Sequence, residues 1–412
     1  MSVPTYAWRQ VPGGPRLAVA TLAASECAAL SLYVPAGSRD EATRPAGLAH
    51  FVEHMVFKGT ARRTSRELSF EVENVGGQLN ACTTEDHTVY EGRGEASLLP
   101  VLIDVLADMV WHAAFLKPEV ILEREVIGEE ITMYRESPSD HLGDLISGAL
   151  WSPHPLGNPI SGTLESIARI HRKELLEFRD RHHFRDDLVV AAAGPFTLDQ
   201  VQAMLEPHLP GKFHHARRTL PFERPASPPC PVCEERDTDQ VQLALAWHTP
   251  GRHHPLRHAL RLLSLMLGET ASSRLFLELR EERGLCYHIT SDVTLFADTG
   301  AFEVSAGLDP ASRGEAIACI LREINDIVAH GPRPGELDRA KRLVIAQSKL
   351  AFEATGAHAA WAGEGVLDFN EIPSPAHWRE RILAVTDAAI QHAATLVFLD
   401  QQPTQAEIGG LA

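Results

Sequence analysis

The 412-residue chain is 44% hydrophobic and 23% charged, ordinary proportions for a globular protein and enough length for two or three domains rather than one core. A net charge of −17 excludes nucleic acid as a partner, because phosphates need basic patches, and no run approaches the roughly 18 apolar residues of a membrane span. Six scattered cysteines form no disulfide framework and suit a reducing cytosol, and the opening "MSVPTYAWRQVPGG" carries no secretory or transit signal, so a cytoplasmic location is expected.

In chain order, "AALSLYVPAG" (28–37) reads as a strand and "GLAHFVEHMVF" (47–57) as a helix, with Leu48, Phe51, Val52 and Met55 at helical spacing. A second helix, "LSFEVENVGG", ends in glycine, "QLNACTTEDHTVYEGRG" (78–94) reads as a hairpin, and "LLPVLIDVLADMVWHAAF" as a longer helix. The segment "KPEVILEREVIGEEITMYRESPSD" (117–140) reads as another helix, with Pro118 in its first turn and Val120, Ile121, Val126, Ile127 and Ile131 marking an apolar side. The proline-rich "RRTLPFERPASPPCPVCEERD" (217–237) reads as a linker.

Beyond it the same order returns: the strand "QVQLALAWHTPG", the helix "ALRLLSLMLG", the glycine-ended helix "RLFLELREERG", the hairpin "LCYHITSDVTLFADTGAFEVSAG" and the helix "EAIACILREINDIVAH". The expectation is an α+β protein of two similar halves in tandem, residues 1–216 and 238–412, joined by the linker 217–237.

His50 and His54 lie four apart, hence on one helical face, and Glu53 projects beside them. Two imidazoles one turn apart can ligate one metal ion, with the carboxylate placed to handle a water there; the pattern HxxEH inverts the familiar HExxH. The five residues alone also fit hydrogen-bonded structural histidines, so a third ligand is needed. Glu123 and Glu130, seven apart, occupy one helical face, where one could bind metal and the other orient a histidine or a water, although helical glutamates are usually a solvated face. The lone "CPVC" (Cys230 to Cys233) and the pairs His182–His183 and His253–His254 lack the spacing or companions of a metal or redox site.

With these residues in view, the sequence resembles the pitrilysin/insulinase family of inverted-zincin metallopeptidases, most closely its processing-peptidase branch. In that family the zinc-binding glutamate follows the second motif histidine by about 76 residues, and Glu130 stands 76 past His54. The flanks "HMVFKGT" and "HPLGNPISGTLESI" match as well. The resemblance implies two tandem α/β-sandwich domains, each a mixed or antiparallel sheet with packed helices. It assigns His50, His54 and Glu130 as ligands of one zinc per chain, Glu53 as catalytic base and Glu123 as the second acidic position behind the ligands. It makes "GGQLNACTTEDHTVYEGR" the edge strand that pairs with an extended peptide substrate, with Asn80 and Ala81 at the substrate-facing positions. It places Arg280 and Tyr287 at the family's Arg–Tyr motif, which reaches the substrate and the oxyanion. Because the first half carries HxxEH and the second carries Arg280 and Tyr287, a complete site is expected to need a second polypeptide, as a homodimer or as a heterodimer with a related subunit. The competing expectation is a catalytically silent structural or partner subunit.

Overall fold

The computed structural model describes residues 3–215, 221–224 and 230–410, which divide into two compact units. The first spans Met1–Ile131, Asn158–Leu220 and Lys349–Ser374, and the second Thr132–Gly157, Pro221–Ser348 and Pro375–Ala412. The units therefore depart from the division expected at residues 216 and 238, since each takes in one segment from the other half of the chain.

The first unit is built on strands β1 (Thr5–Gln10), β2 (Arg16–Thr21), β3 (Cys27–Val34), β4 (Gln78–Thr83), β5 (Thr88–Glu95) and β6 (Val189–Gly194), in the sheet order β1-β2-β6-β3-β5-β4. Between β3 and β4 lie helices α1 (Leu48–Val56) and α2 (Ser65–Glu73), and after β5 come α3 (Leu99–His112) and α4 (Lys117–Glu136). Side chains alternate across these strands. Leu17, Val19, Leu30, Leu32 and Val190 share one buried core with α1 and α3. The other face is paved with Ala18, Ala20, Ala29, Ala191 and Ala193, and their small size lets a helix lie close; that helix is Thr355–Phe369, from the far half of the chain. A Cβ on its Gly363 would meet the Tyr33 ring at 2.3 Å.

The second unit carries β7 (Val232–Glu234), β8 (Val241–Pro250), β9 (Cys286–Leu295), β10 (Thr299–Leu308) and β11 (Thr404–Ile408), in the order β7-β11-β8-β10-β9. The pairings repeat those of the first sheet. β2–β6 and β7–β11 are parallel, and the three pairings after each, β6–β3–β5–β4 and β11–β8–β10–β9, are antiparallel. Large residues Leu243, Leu245 and Trp247 face the main core, whereas Ala244 and Ala246 face α5 (Pro138–Trp151), again a helix from the other half of the chain. Two tandem sandwiches of like topology are thus present, each finished by a segment of the other half.

Two expectations are corrected here. Part of the linker is a strand: the described residues of 217–237 include β7, which pairs in parallel with β11, while residues 217–220 and 225–229 lie outside the described chain. On α4, Ile121 and Val126 are 56% and 50% exposed. Only Val120, Ile127 and Ile131 reach the core, because the inward stripe repeats at 120, 123, 127 and 131, which brings Glu123 inside instead.

Candidate metal centre

Helix α1 buries Leu48, Phe51, Val52 and Met55 and leaves His50, Glu53 and His54 on its opposite side. Its first turn is pinned from outside the helix. The buried Glu41 carboxyl accepts the amides of Gly47 (3.2 Å) and Ala49 (2.8 Å), donors that a helix N-terminus otherwise leaves unpaired. Burial pushes that carboxyl up to about 8 against these amide donors. Gly47 has φ +89°, and a Cβ on it would meet the Ser161 carbonyl oxygen at 2.5 Å. Ser166 Oγ donates to Ala46 O at 2.7 Å, so the segment around residues 161–166 fixes where the helix begins.

Across from this stripe, α4 presents Glu123 and Glu130. Glu130 Oε1 lies 3.7 Å from His50 Nε2, and Glu130 Oε2 lies 3.6 Å from His54 Nε2. One ligand atom from each of the three residues falls within 4.8 Å of the others, the one such group of three or more found among the described residues. A tetrahedral zinc with donors at about 2.0–2.1 Å sets those donors roughly 3.4 Å apart, so the set fits the ion with small side-chain adjustment. The surroundings fit too. His54 Nδ1 is 2.8 Å from Glu123 Oε1, and Lys58 Nζ is 2.5 Å from Glu123 Oε2. Although burial works against it, the bonds from His54 and Lys58 hold the Glu123 carboxyl below its ordinary range. An ionised Glu123 accepts a hydrogen bond from Nδ1–H of His54 and turns the Nε2 lone pair toward Glu130, the usual carboxylate–histidine–metal arrangement. Burial, and after it the neighbouring His54, lowers His50 to about 3, so its imidazole is neutral and able to ligate.

Glu53 stands beside the three donors. Burial raises its carboxyl above the ordinary value, opposed by a hydrogen bond from Thr83 Oγ1 at 2.5 Å. Thr83 ends β4, which closes one end of the sheet order and pairs with β5 alone. Along β4, Leu79 and Ala81 pack toward the core and Asn80 is exposed on the other face. Arg280 and Tyr287 belong to the second unit, where the Arg280 guanidinium carbon sits 5.2 Å from the centre of the Tyr287 ring. Tyr287 is 75% exposed, at the register shift where β9 meets the end of β10. None of the cysteine and histidine pairs set aside above belongs to the group able to hold a metal among the described residues. Cys230 and Cys233 are free and exposed, His182 packs 4.4 Å from the Phe178 ring, His183 Nδ1 contacts Val110 O, and His254 Nδ1 accepts the Leu256 amide. Sequence reasoning did not pick out Glu41, Lys58 or Thr83. Lys58 follows α1 directly, four residues after His54, but nothing in the sequence marks it as a partner of Glu123, and Glu41 and Thr83 reach the histidine helix only through folding.

A family model described as Insulinase (Peptidase family M16) matches residues 16–164, and one described as Peptidase M16 inactive domain matches residues 169–344. An uncharacterised zinc protease of Mycobacterium leprae is 34% identical over 380 residues, 91% of this chain and 85% of that protein. The mitochondrial-processing peptidase subunit beta of Bos taurus is 28% identical over 396 residues, 92% of this chain and 79% of that protein. A protease structure from Helicobacter pylori superposes with a TM-score of 0.91 over 99% of this chain and 100% of that one, at 21% identity, which shows a shared fold.

Proposed function

This chain belongs to the insulinase family of peptidases, family M16, and we propose that it is a zinc-dependent endopeptidase acting on peptides or unfolded segments. The observation that carries the reading is the convergence of His50, His54 and Glu130 within 4.8 Å, with the Glu53 carboxylate beside them. Two imidazoles and one carboxylate suit zinc and leave room for a further ligand. A zinc ion held by His50, His54 and Glu130 would supply Lewis acidity to the scissile carbonyl and to a water beside Glu53. Glu53 takes the proton of the attacking water and returns it to the leaving amine. Glu123 keeps His54 in the ligating tautomer. The main chain of β4 around Asn80 and Ala81 pairs with an extended peptide, main-chain bonds giving affinity and side-chain pockets giving selectivity. Arg280 and Tyr287, a guanidinium and a phenol, donate to the developing oxyanion and are supplied by a second copy of the chain.

The test combines zinc analysis with digestion of a peptide library by wild type and Glu53→Gln. Wild type should hold one zinc and cleave, and the variant should hold zinc and fall in kcat by about 10²- to 10⁴-fold, the share of a positioned base. Undiminished cleavage by a zinc-bearing Glu53→Gln protein rules out the assigned base. Light scattering on the active species should give a dimer, and full activity in a monomer removes the second copy from the account. A silent subunit is the alternative, favoured by the description of the model that matches residues 169–344 as an inactive domain. A wild type that holds zinc and cleaves nothing in the library would decide for it.

A further inference from the structure

Thr83 occupies the last position of β4 and is buried, at 7% exposure. Its hydroxyl has one proton to give and two oxygens within reach: Glu53 Oε2 at 2.5 Å and Thr88 Oγ1 at 3.5 Å. Thr83 donates to Glu53, the shorter of the two contacts and the one to a carboxylate, while the Thr88 hydroxyl gives its own proton to Ala36 O at 3.1 Å. The threonine is itself held firmly. It pairs with Thr88 in the β4–β5 register, and the turn beyond it is closed by Thr84 N to His87 O (2.8 Å) and Thr84 Oγ1 to His87 O (2.9 Å). A glutamate has three rotatable side-chain torsions, and the Thr83 hydroxyl, together with the Thr83 backbone amide, restricts where the Glu53 carboxylate points.

We propose that Thr83 is a positioning residue: by gripping Glu53 Oε2 from the end of the edge strand, it leaves Oε1 aimed at the reacting water. The inference rests on the reading of Glu53 as base given above. It ties two tasks to one element, because the strand proposed to pair with the peptide also sets the base. Thr83 does not touch the substrate in this account; it acts through Glu53.

The test compares kcat and KM, zinc stoichiometry and thermal unfolding for wild type, Glu53→Gln, Thr83→Val, Thr83→Ala and Thr83→Ser. Valine keeps the shape, alanine guards against a strand that rejects valine, and serine keeps the hydroxyl. Thr83→Val and Thr83→Ala should keep their zinc and their KM within about twofold while kcat falls about 10- to 100-fold, since small misplacement of a catalytic group costs up to about 10²-fold. Thr83→Ser should recover most of the loss. Wild-type kcat in folded, zinc-bearing Thr83→Val or Thr83→Ala overturns the positioning role while leaving the base in place, as does a Thr83→Ser protein as slow as Thr83→Val. A Glu53→Gln protein as fast as wild type overturns this inference together with the reading it rests on.

Discussion

His54 is the most heavily supported donor at the centre. Its ring nitrogen away from Glu130 meets Glu123 at 2.8 Å, and Glu123 in turn meets Lys58 at 2.5 Å. Removing the charge from Glu123 as Glu123→Gln should weaken zinc affinity by about 10- to 100-fold, as outer partners of metal ligands do, and Lys58→Met should weaken it less. Competition with a chromogenic chelator reads both, and wild-type affinity in both variants contradicts the relay. Glu41 gives a pH signature. Its folded value of about 8 lies above the ordinary 4.5, so between those values the unfolded chain releases a proton that the folded chain keeps. The stability it contributes is therefore complete below pH 4.5, falls by up to about 1.4 kcal/mol per pH unit above it, and is gone past about 8. Urea unfolding of wild type minus Glu41→Gln across pH 4 to 9 should show that decline; a difference that rises with pH would mean that the amide donors outweigh burial. At this scale the sequence told much about ligands and little about what holds them. Helical spacing alone puts His50 and His54 on one face, and Glu130 stood out through the family's spacing. Thr83 and Lys58 are ordinary residues until β4 and α4 lie against the histidine helix and its end.

The N-terminus of α1 concentrates the constraint on the histidine helix. Gly47→Ala would impose a side chain at φ +89° and push a Cβ to within 2.5 Å of Ser161 O. A non-glycine residue in this left-handed region costs about 1–3 kcal/mol before the clash is counted. The variant should melt at lower temperature and bind zinc more weakly, because the turn that carries His50 must shift; an unchanged melting curve and zinc isotherm would refute this. Elements with strong alternation or helical period were readable, including β3, β4, β5, β8 and β10 and helices α1 and α3. β2 was not, because "RLAVAT" alternates large with small rather than apolar with polar, and both of its faces are buried. β7 and β11 are short: β7 pairs with β11, and β11 pairs with β7 and β8. On α4, three of the five residues assigned to the apolar side reach the core, while Ile121 and Val126 are exposed and Glu123 faces inward.

For the whole molecule, the tandem repeat was legible in element order, and the repeated strand pairing bears it out. The exchange of helices was hidden. Helix Thr355–Phe369 covers the alanine-lined face of the first sheet although it begins 161 residues after the end of β6, the last strand of that sheet. A fragment ending at residue 216 therefore exposes Ala18, Ala20, Ala29 and Tyr33, and should aggregate or bind a hydrophobic dye when made alone. Adding residues 349–374 as a peptide should restore a cooperative melt; a fragment that melts cooperatively without it contradicts the assignment of that segment to the first unit. The central claim is that one divalent ion is held by His50, His54 and Glu130. Anomalous diffraction at the zinc edge, on crystals of the purified protein, tests it most directly. The account predicts one peak in the first unit, bonded to Nε2 of both imidazoles and to the Glu130 carboxylate. A zinc peak bound elsewhere, with these three side chains free of metal, would contradict it.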